Sequence, residues 1–184
     1  YGKTKIKAEK IIISNCKKLG INYAILRYFN ACGASPSGKI GLIEKTDSLF
    51  KNIAIEIMKK KPIIKIYGND YNTLDGTAIR DYIHVSDLAE IHEKILKKMS
   101  KFSISGVFNC GYYRGISVKE VINEFKKQVN KKIRISYQKR RAGDLAVVIG
   151  NNKKLKKIIN WKPRYYNLSK IVKSCIRWEK TTNK

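Results

Sequence analysis

The amino-acid sequence predicts an α/β fold. Segments with helical periodicity alternate with short apolar segments of strand character along most of the chain. Capping residues, glycines and prolines mark several of the segment ends. Such alternation is typical of α/β proteins, in which helices cover a sheet. At 184 residues the chain is long enough to bury a sizeable core.

The first third of the chain begins with a predicted helix over residues 4–19, which Gly20 ends. A strand over 23–28 follows, and then a loop rich in glycine, serine and proline over 31–47. Residues 48–60 have the periodicity of a second helix.

The rest of the chain continues this alternation. Ser86 is predicted to cap a helix that ends near residue 99. Ser117 and Glu120 predict a capping box for a helix to about residue 129. Pro163 separates the last two helices, because proline cannot continue a helix. The other predicted elements are strands over 63–67, 82–85, 107–110 and 133–137 and helices over 152–159 and 168–178.

The chain is strongly basic, with 40 Lys and Arg against 14 Asp and Glu and a formal net charge of +26. A charge of this size attracts polyanions, so a basic nucleic-acid-binding protein is one hypothesis. However, the basic residues form short scattered runs, such as 59–61 and 153–154, without a basic-region helix or a zinc-finger spacing. The scatter, together with the richness in Lys, Ile and Asn, favours an AT-rich genome over a specific nucleic-acid partner.

The four cysteines, Cys16, Cys32, Cys110 and Cys175, lie too far apart for a zinc-ligand or disulfide pattern. We therefore predict no metal site. The first apolar run, residues 11–13, is too short for a secretory signal or a membrane span. Free thiols without a secretory signal predict a cytoplasmic protein with no membrane partner.

Tyr1 and Lys5 are candidates for proton transfer. They lie four positions apart at a predicted helix start, so their side chains project from one face. A phenol has an ordinary pKa of about 10, and an adjacent ammonium favours the phenolate, which makes the tyrosine a better base. The pattern alone is weak, because the same spacing arises by chance on amphipathic helices.

Longer motifs give this pair a context. They are Leu-Arg-Tyr-Phe-Asn-Ala-Cys-Gly-Ala at 26–34, Gly-Asn-Asp-Tyr at 68–71, Asp-Gly-Thr-Ala-Ile-Arg-Asp-Tyr-Ile-His-Val-Ser-Asp-Leu-Ala at 75–89, Arg-Arg-Ala-Gly-Asp at 140–144 and Trp-Lys-Pro at 161–163. In this order and spacing they resemble the UDP-glucose 4-epimerases of the extended short-chain dehydrogenase/reductase family, over nearly the whole chain. Sugar-nucleotide dehydratases and decarboxylases share the Tyr/Lys pair and an Arg-Asp-Tyr block, and they are the enzymatic alternative.

The resemblance implies the C-terminal part of a Rossmann domain, a doubly wound parallel sheet, together with a smaller α/β domain that binds UDP-sugar. Residues 1–30 and 80–111 would belong to the NAD-binding Rossmann domain. Residues 31–79 and 112–184 would form the UDP-sugar-binding domain. In the family the helix that begins at Tyr1 helps to form a dimer, so the complete protein is expected to be a homodimer.

The resemblance also implies an isomerase that interconverts UDP-galactose and UDP-glucose with NAD as its cofactor. In the family NAD takes a hydride from C4 of the sugar, and the 4-keto intermediate rotates and takes the hydride back on its other face. Tyr1 would be the base. Lys5 would lower the pKa of Tyr1 and hold the nicotinamide ribose, and Tyr28 would line the nicotinamide site.

The same resemblance assigns eight residues to the UDP-hexose site. Arg80 and Arg141 match diphosphate-binding arginines, whose planar guanidinium groups give several charge-assisted hydrogen bonds. Asp144 matches the acceptor for the uridine ribose hydroxyls. The other five are Asn30 at the sugar diphosphate, Leu49 with a backbone contact to phosphate, Tyr67 beside uracil, Val118, and Val148 at the boundary of the sugar pocket.

Simpler roles stay open for several of these residues. Arg80 and Arg141 could be solvated surface charges, and Asn30 and Asp144 could be turn residues. Packing rather than binding is predicted for four others: Tyr82, His84, Trp161 and Trp178.

Three departures from the family pattern change what is expected. Asp47 and Ser48 stand where the family usually has Asn or His and a proline, which puts phosphate contacts there in doubt. Val148 stands where many members carry a larger residue, so we expect tolerance for 2-acetamido sugars. The Gly-rich dinucleotide loop does not occur in this sequence, so this chain alone is expected to bind NAD poorly and to be an inactive fragment or a decayed gene remnant.

Overall fold

The computed structural model describes residues 2–44 and 46–182 and confirms the α/β fold. Its helices are α1 (Gly2–Lys18), α2 (Leu49–Glu56), α3 (Val85–Met99), α4 (Val118–Gln128), α5 (Lys153–Ile159) and α6 (Leu168–Thr182). Its strands are β1 (Ala24–Tyr28), β2 (Asn30–Cys32), β3 (Ile63–Tyr67), β4 (Ile79–His84), β5 (Gly106–Cys110), β6 (Gly115–Ser117), β7 (Arg134–Gln138) and β8 (Val147–Val148).

Within the described part of the chain, the strands form three sheets, and β4 is at the centre of the largest. Strands β1 and β5 form one parallel pair, and β3 and β7 form another. Strand β4 pairs with β2 in parallel, with β6 in antiparallel and with β8 in parallel. Three distant parts of the chain therefore meet on one six-residue strand.

An aromatic cluster in the core connects β4 to the helices α2 and α4. The ring of Phe50 on α2 contacts Tyr82 on β4 edge to face, with centroids 5.0 Å apart, and lies 5.9 Å from the ring of Phe125 on α4. All three side chains are buried. Aromatic pairs in this geometry add to the free energy gained from burying their area, so this cluster fixes α2 and α4 against the sheet.

Helix α1 differs from the other long helices, because none of its described residues is fully buried. Ile6, Ile11 and Ile12 are each more than two-fifths exposed. The helix is attached to β1 through an ion pair between Glu9 and Arg27, with 2.8 Å between Arg27 Nε and Glu9 Oε1.

A buried ion pair connects the start of α2 to α6. Lys51 Nζ lies 2.6 Å from Glu179 Oε1 and donates a second hydrogen bond of 2.6 Å to the carbonyl of Leu42. The two side chains are only 6% and 3% exposed. Both charges are removed from water, which is unfavourable by itself. Their mutual attraction and the hydrogen bond to the Leu42 carbonyl compensate this cost.

Three of the predicted elements have bounds that are wrong by three residues or more, and three short strands were not predicted. The last helix, predicted over 168–178, continues to Thr182. The helix predicted over 48–60 ends at Glu56, and turn hydrogen bonds from Met58 and Lys59 to carbonyls three residues earlier follow it. Pro62 also restricts the residue before it to extended backbone. The strand predicted over 82–85 is the end of the longer β4. The strands that the sequence did not predict are β2, β6 and β8.

The prediction that Ser86 caps α3 is wrong, because His84 has this role. The imidazole Nδ1 of His84 accepts a hydrogen bond of 3.1 Å from the backbone N–H of Ser86, and the helix begins at Val85. The His84 side chain is buried and stacks on Tyr165 with centroids 4.5 Å apart. Burial lowers the pKa of His84, since it penalises the charged ring. The predicted structural role of His84 is therefore confirmed.

Acid is expected to destabilise the protein through His84. Its folded-state pKa lies below the ordinary value of 6.5, so as the pH falls through 6.5 the unfolded chain takes up a proton that the folded chain does not. The free energy of unfolding therefore falls with pH in this window. Urea unfolding at about pH 7 and about pH 5.5 should show a larger loss for wild type than for His84→Asn, which can cap without titrating. Equal losses would contradict this account.

The predicted capping box and the predicted packing residues are confirmed. Ser117 with Glu120 forms the capping box of α4, and Ser48, for which no cap was predicted, caps α2. Trp161 is buried and stacks on Tyr112 with centroids 6.1 Å apart, and Trp178 donates a hydrogen bond of 2.9 Å from Nε1 to the carbonyl of Leu42. Among the described residues, no helix combines the length and the apolar character needed to cross a membrane.

Candidate functional site

A cleft of about 1230 Å³ lies beside the central sheet. Its walls come from β2, the segment before α2, one side of α2, strand β3, strand β4, the start of α4 and the loop before β8. Seven of the eight residues predicted for the UDP-hexose site line it: Asn30, Leu49, Tyr67, Arg80, Val118, Arg141 and Asp144. Residues more than a hundred positions apart in the sequence therefore share one cavity.

Arg80 and Asp144 form an ion pair in this cleft. The Arg80 guanidinium binds Asp144 Oδ1 through Nη2, and its Nη1 donates a hydrogen bond of 2.8 Å to the carbonyl of Ile79. The Arg80 side chain is 14% exposed and that of Asp144 is 33% exposed. The pair is thus partly withdrawn from water, and its two charges lie at the cleft surface where a polar ligand could reach them.

Arg141 and Tyr67 form a second pair. The guanidinium carbon of Arg141 lies 4.4 Å from the centroid of the Tyr67 ring, within the range of a cation–π contact. Tyr67 is the last residue of β3 and is 40% exposed. Stacking orients the planar guanidinium while its N–H donors stay available to an anion.

Asn30 is held against the central strand. Its side-chain amide donates a hydrogen bond of 3.0 Å to the backbone carbonyl of Asp81. In the parallel register of β2 and β4, Asn30 faces Tyr82. Asn30 therefore has a fixed orientation at the cleft wall, which a loop residue would not have.

Asp81 is fully buried next to Arg80 and binds three backbone N–H groups. Its Oδ1 accepts from Tyr112 at 2.8 Å, and its Oδ2 accepts from Tyr113 at 2.9 Å and from Gly150 at 3.2 Å. Burial raises the pKa of Asp81, although the backbone hydrogen bonds oppose that shift. The carboxylate joins β4 to two loops, one after β5 and one after β8.

Three described residues of the predicted site lie away from the cleft lining. Val148 on β8 pairs with Arg80 in the parallel register but does not line the cavity. Tyr28 is at the end of β1, 55% exposed, and its hydroxyl shares a hydrogen bond of 2.5 Å with Nε2 of His92. Lys5 lies on exposed α1. Tyr1, predicted as the base, lies outside the described residues.

Several residues that line the cleft were not predicted from the sequence to belong to the site. Alternation along β3 places Ile63, Lys65 and Tyr67 on its exposed side, so the assignment of Tyr67 could have led to Lys65. Tyr82 was predicted to pack and does so, but it also lines the cleft. Asp47 and Ser48 line it as well, so the departure from the family pattern falls within the site.

No cluster of three or more His, Cys, Asp or Glu side chains suited to a metal ion occurs in residues 2–44 and 46–182. The charged groups of the cleft point to an anionic ligand instead. Among the residues that the structure describes, four cations line it, Lys59, Lys65, Arg80 and Arg141, and three carboxylates, Asp47, Glu56 and Asp144. Glu56 pairs with Lys59 and Asp144 with Arg80, which leaves more positive than negative charge for a ligand.

A sequence model described as the NAD dependent epimerase/dehydratase family matches residues 1–111. The chain is 38% identical to a UDP-glucose 4-epimerase of Halalkalibacterium halodurans over 98% of its own length. It covers 54% of that protein, so the chain spans about half the length of the relative it matches.

Solved structures that this chain resembles are also UDP-sugar 4-epimerases, and the chain again covers about half of each. A UDP-glucose 4-epimerase from Stenotrophomonas maltophila, crystallised with NAD and formylated UDP-arabinopyranose, superposes with a TM-score of 0.93 and is 31% identical. It matches 100% of this chain, which covers 55% of that structure. The UDP-Glc/GlcNAc 4-epimerase of Campylobacter jejuni has a TM-score of 0.76 and 37% identity, with 98% of this chain and 55% of that chain covered.

Proposed function

The chain belongs to the NAD-dependent epimerase/dehydratase family, and from this premise we propose that it forms the UDP-sugar-binding half of a UDP-glucose 4-epimerase. Residues 31–79 and 112–184 would form the UDP-sugar-binding domain. Residues 1–30 and 80–111 would be the C-terminal part of the NAD-binding Rossmann domain. The complete enzyme would be an isomerase that interconverts UDP-galactose and UDP-glucose.

The observation that carries this proposal is the meeting of Arg80, Arg141 and Asp144 in one cleft. Two guanidinium groups suit the two phosphates of a nucleoside diphosphate, because each presents a planar set of N–H donors. A carboxylate beside them suits ribose hydroxyls, which need an acceptor. Tyr67, with Arg141 stacked on it, would contact the uracil ring.

The remaining cleft residues support the sugar-diphosphate part of the ligand. Leu49 is the first residue of α2, and the N–H groups of a first helical turn lack acceptors within the helix and favour phosphate. Asn30 offers an oriented amide, and Val118 is the first residue of α4 in the same cavity. Val148 stays the proposed boundary of the sugar pocket.

Tight binding of the nucleotide and loose binding of the sugar would serve the reaction. A sugar that must turn over between oxidation and reduction cannot be fixed by many strong contacts, so the binding free energy has to come from the UDP portion. The proposed roles follow this division, since Arg80, Arg141 and Asp144 are assigned to the diphosphate and the ribose rather than to the hexose.

The described residues fit the nicotinamide end of NAD. Tyr28 is exposed at the carboxyl end of β1, and ligands of parallel sheets bind outside such strand ends. Lys5 offers an ammonium suited to the nicotinamide ribose. Bound NAD would supply the acceptor and then the donor of the hydride at C4 of the sugar. Tyr1 stays the proposed base that takes and returns the hydroxyl proton.

Nucleotide selectivity tests the proposal. We expect isothermal titration at moderate ionic strength to show that UDP binds this chain much more tightly than ADP, which carries the same diphosphate on another base. Arg141→Ala should weaken UDP binding about 10- to 100-fold, because it removes charge-assisted hydrogen bonds to phosphate. Lys157→Ala, which removes an equal charge from an exposed position on α5, should leave UDP binding unchanged.

The alternatives predict other outcomes. A basic nucleic-acid-binding protein would retain UDP and ADP equally, and retention would fall steeply with salt. That result would overturn the proposal. Another sugar-nucleotide epimerase or dehydratase would also select UDP, and the products formed from UDP-glucose by the complete enzyme would separate these activities.

Two further properties stay proposals for the complete protein. A homodimer is proposed, and the exposed Ile6, Ile11 and Ile12 of α1 offer an apolar surface that a second copy could cover. A cytoplasmic location is proposed because the cysteines, Cys16, Cys32, Cys110 and Cys175, are all free thiols.

A further inference from the structure

We propose that Tyr71 is a positioning residue for the nucleotide site, because it orients the Asp144 carboxylate toward the ribose. This inference rests on the proposed function and extends it to a residue that does not line the cleft. The Tyr71 side chain is buried, with 5% exposure, and its hydroxyl donates a hydrogen bond of 3.4 Å to Asp144 Oδ2. Its effect on a ligand would therefore pass through Asp144.

Two different partners hold the two oxygens of Asp144. Oδ1 receives the Arg80 guanidinium, and Oδ2 receives the Tyr71 hydroxyl. One contact would leave the carboxylate free to rotate about its terminal bond, whereas a second contact restricts that rotation. The Asp144 side chain is still 33% exposed, so the fixed carboxylate can accept from a ligand hydroxyl.

The Tyr71 ring is itself held in place by Arg140, which lies over its face. The guanidinium carbon of Arg140 lies 4.3 Å from the ring centroid, and Arg140 Nε donates a hydrogen bond of 2.7 Å to Asp70 Oδ1. The backbone N–H of Tyr71 donates to the carbonyl of Gly76 at 3.0 Å. The turn and the Arg140 side chain thus determine where the hydroxyl points.

Gly68 makes this arrangement possible. Its φ is +84°, a region that favours glycine, and a Cβ there would lie 2.5 Å from the Tyr71 ring and 2.8 Å from the Arg140 side chain. Burial and the neighbouring Asp144 carboxylate both raise the pKa of Tyr71, so its hydroxyl remains protonated and can donate. The Gly-Asn-Asp-Tyr motif at 68–71 therefore acts as a support for Asp144.

The test compares UDP with 2′,3′-dideoxy-UDP, which lacks both ribose hydroxyls, on this chain. Tyr71→Phe keeps the ring under Arg140 and removes only the hydroxyl. We expect it to weaken UDP binding about 3- to 10-fold and to leave the dideoxy nucleotide nearly unaffected, since the net effect of one hydrogen bond is modest. Loss of binding to both nucleotides in parallel would indicate a merely structural role and would overturn the inference.

Matched variants keep the test decisive. Tyr137→Phe removes a hydroxyl from an exposed tyrosine on β7 outside the cleft lining and should change neither affinity. In Asp144→Asn, the further change Tyr71→Phe should have a smaller effect than in wild type, because the two residues act through one contact. If Tyr71→Phe does not fold, Arg140→Gln takes its place, because it removes the ion pair with Asp70. This variant should reduce the preference for UDP over 2′,3′-dideoxy-UDP about 2- to 3-fold.

The outcomes separate this inference from the proposed function. In one outcome, Tyr71→Phe binds UDP and 2′,3′-dideoxy-UDP as wild type does while Asp144→Ala loses UDP binding. That outcome would overturn the role of Tyr71 and leave the proposed function standing. No preference for UDP over ADP in the wild-type chain would overturn both.

Discussion

Replacing Asp81 by alanine is expected to lower the free energy of unfolding by about 3–5 kcal/mol. The Asp81 carboxylate is fully buried and accepts hydrogen bonds from the backbone N–H groups of Tyr112, Tyr113 and Gly150. Alanine would leave these donors without their acceptor, and each unpaired buried donor costs about 1–3 kcal/mol. The two loops that the carboxylate joins to β4 would also separate from it.

Urea unfolding followed by circular dichroism measures this loss. Asp81→Asn should be nearly as harmful, because an amide places an N–H₂ group where one of the oxygens now accepts backbone hydrogen bonds. Asp47→Ala serves as the control, since Asp47 is exposed and should change stability by less than about 0.5 kcal/mol. An unfolding midpoint of Asp81→Ala that matches wild type would show that the three hydrogen bonds do not stabilise the fold.

Lys51→Met is expected to cost a similar amount, about 3–5 kcal/mol, for a different reason. It removes the ammonium that lies 2.6 Å from the buried carboxylate of Glu179. Removing the close cation from a buried carboxylate destabilises the fold, because the desolvation cost of the carboxylate stays while the attraction to Lys51 is lost.

The double variant Lys51→Met/Glu179→Leu separates the effect of the charge from that of the shape. Replacing both partners by apolar side chains removes the buried charges together, so stability should recover to within about 1 kcal/mol of wild type or exceed it. Chemical unfolding of the single and double variants under one set of conditions provides the comparison. If the double variant is as unstable as Lys51→Met, the contacts of the long side chains, rather than the charge, hold α2 to α6.

The elements with strong local signals could be predicted from the sequence. The α/β class and the capping box of Ser117 and Glu120 depend on residues close together in the chain. Strands β2, β6 and β8 could not be predicted in this way, because segments of two or three residues have no measurable period and form only through their partner β4. The cap at His84 was not predicted because imidazole is not among the usual capping side chains.

The site was predicted through resemblance, and its geometry was not. The resemblance identified seven cleft residues, but no local pattern indicates that Arg80 pairs with Asp144, 64 positions later, or that Arg141 stacks on Tyr67. Lys65 was missed although it shares a strand face with Tyr67. Such contacts depend on how the loop at 140–144 folds back over β3 and β4, which is a property of the whole structure.

The central position of β4 has a consequence for folding. Strand β4 meets β2, β6 and β8, which come from parts of the chain that are far apart, and closing each intervening loop costs chain entropy before the contacts form. Helices depend on neighbouring residues and form without these closures. A partly folded chain can therefore contain most of its helices and still have no cleft, so nucleotide binding would report completed folding where helix content would not.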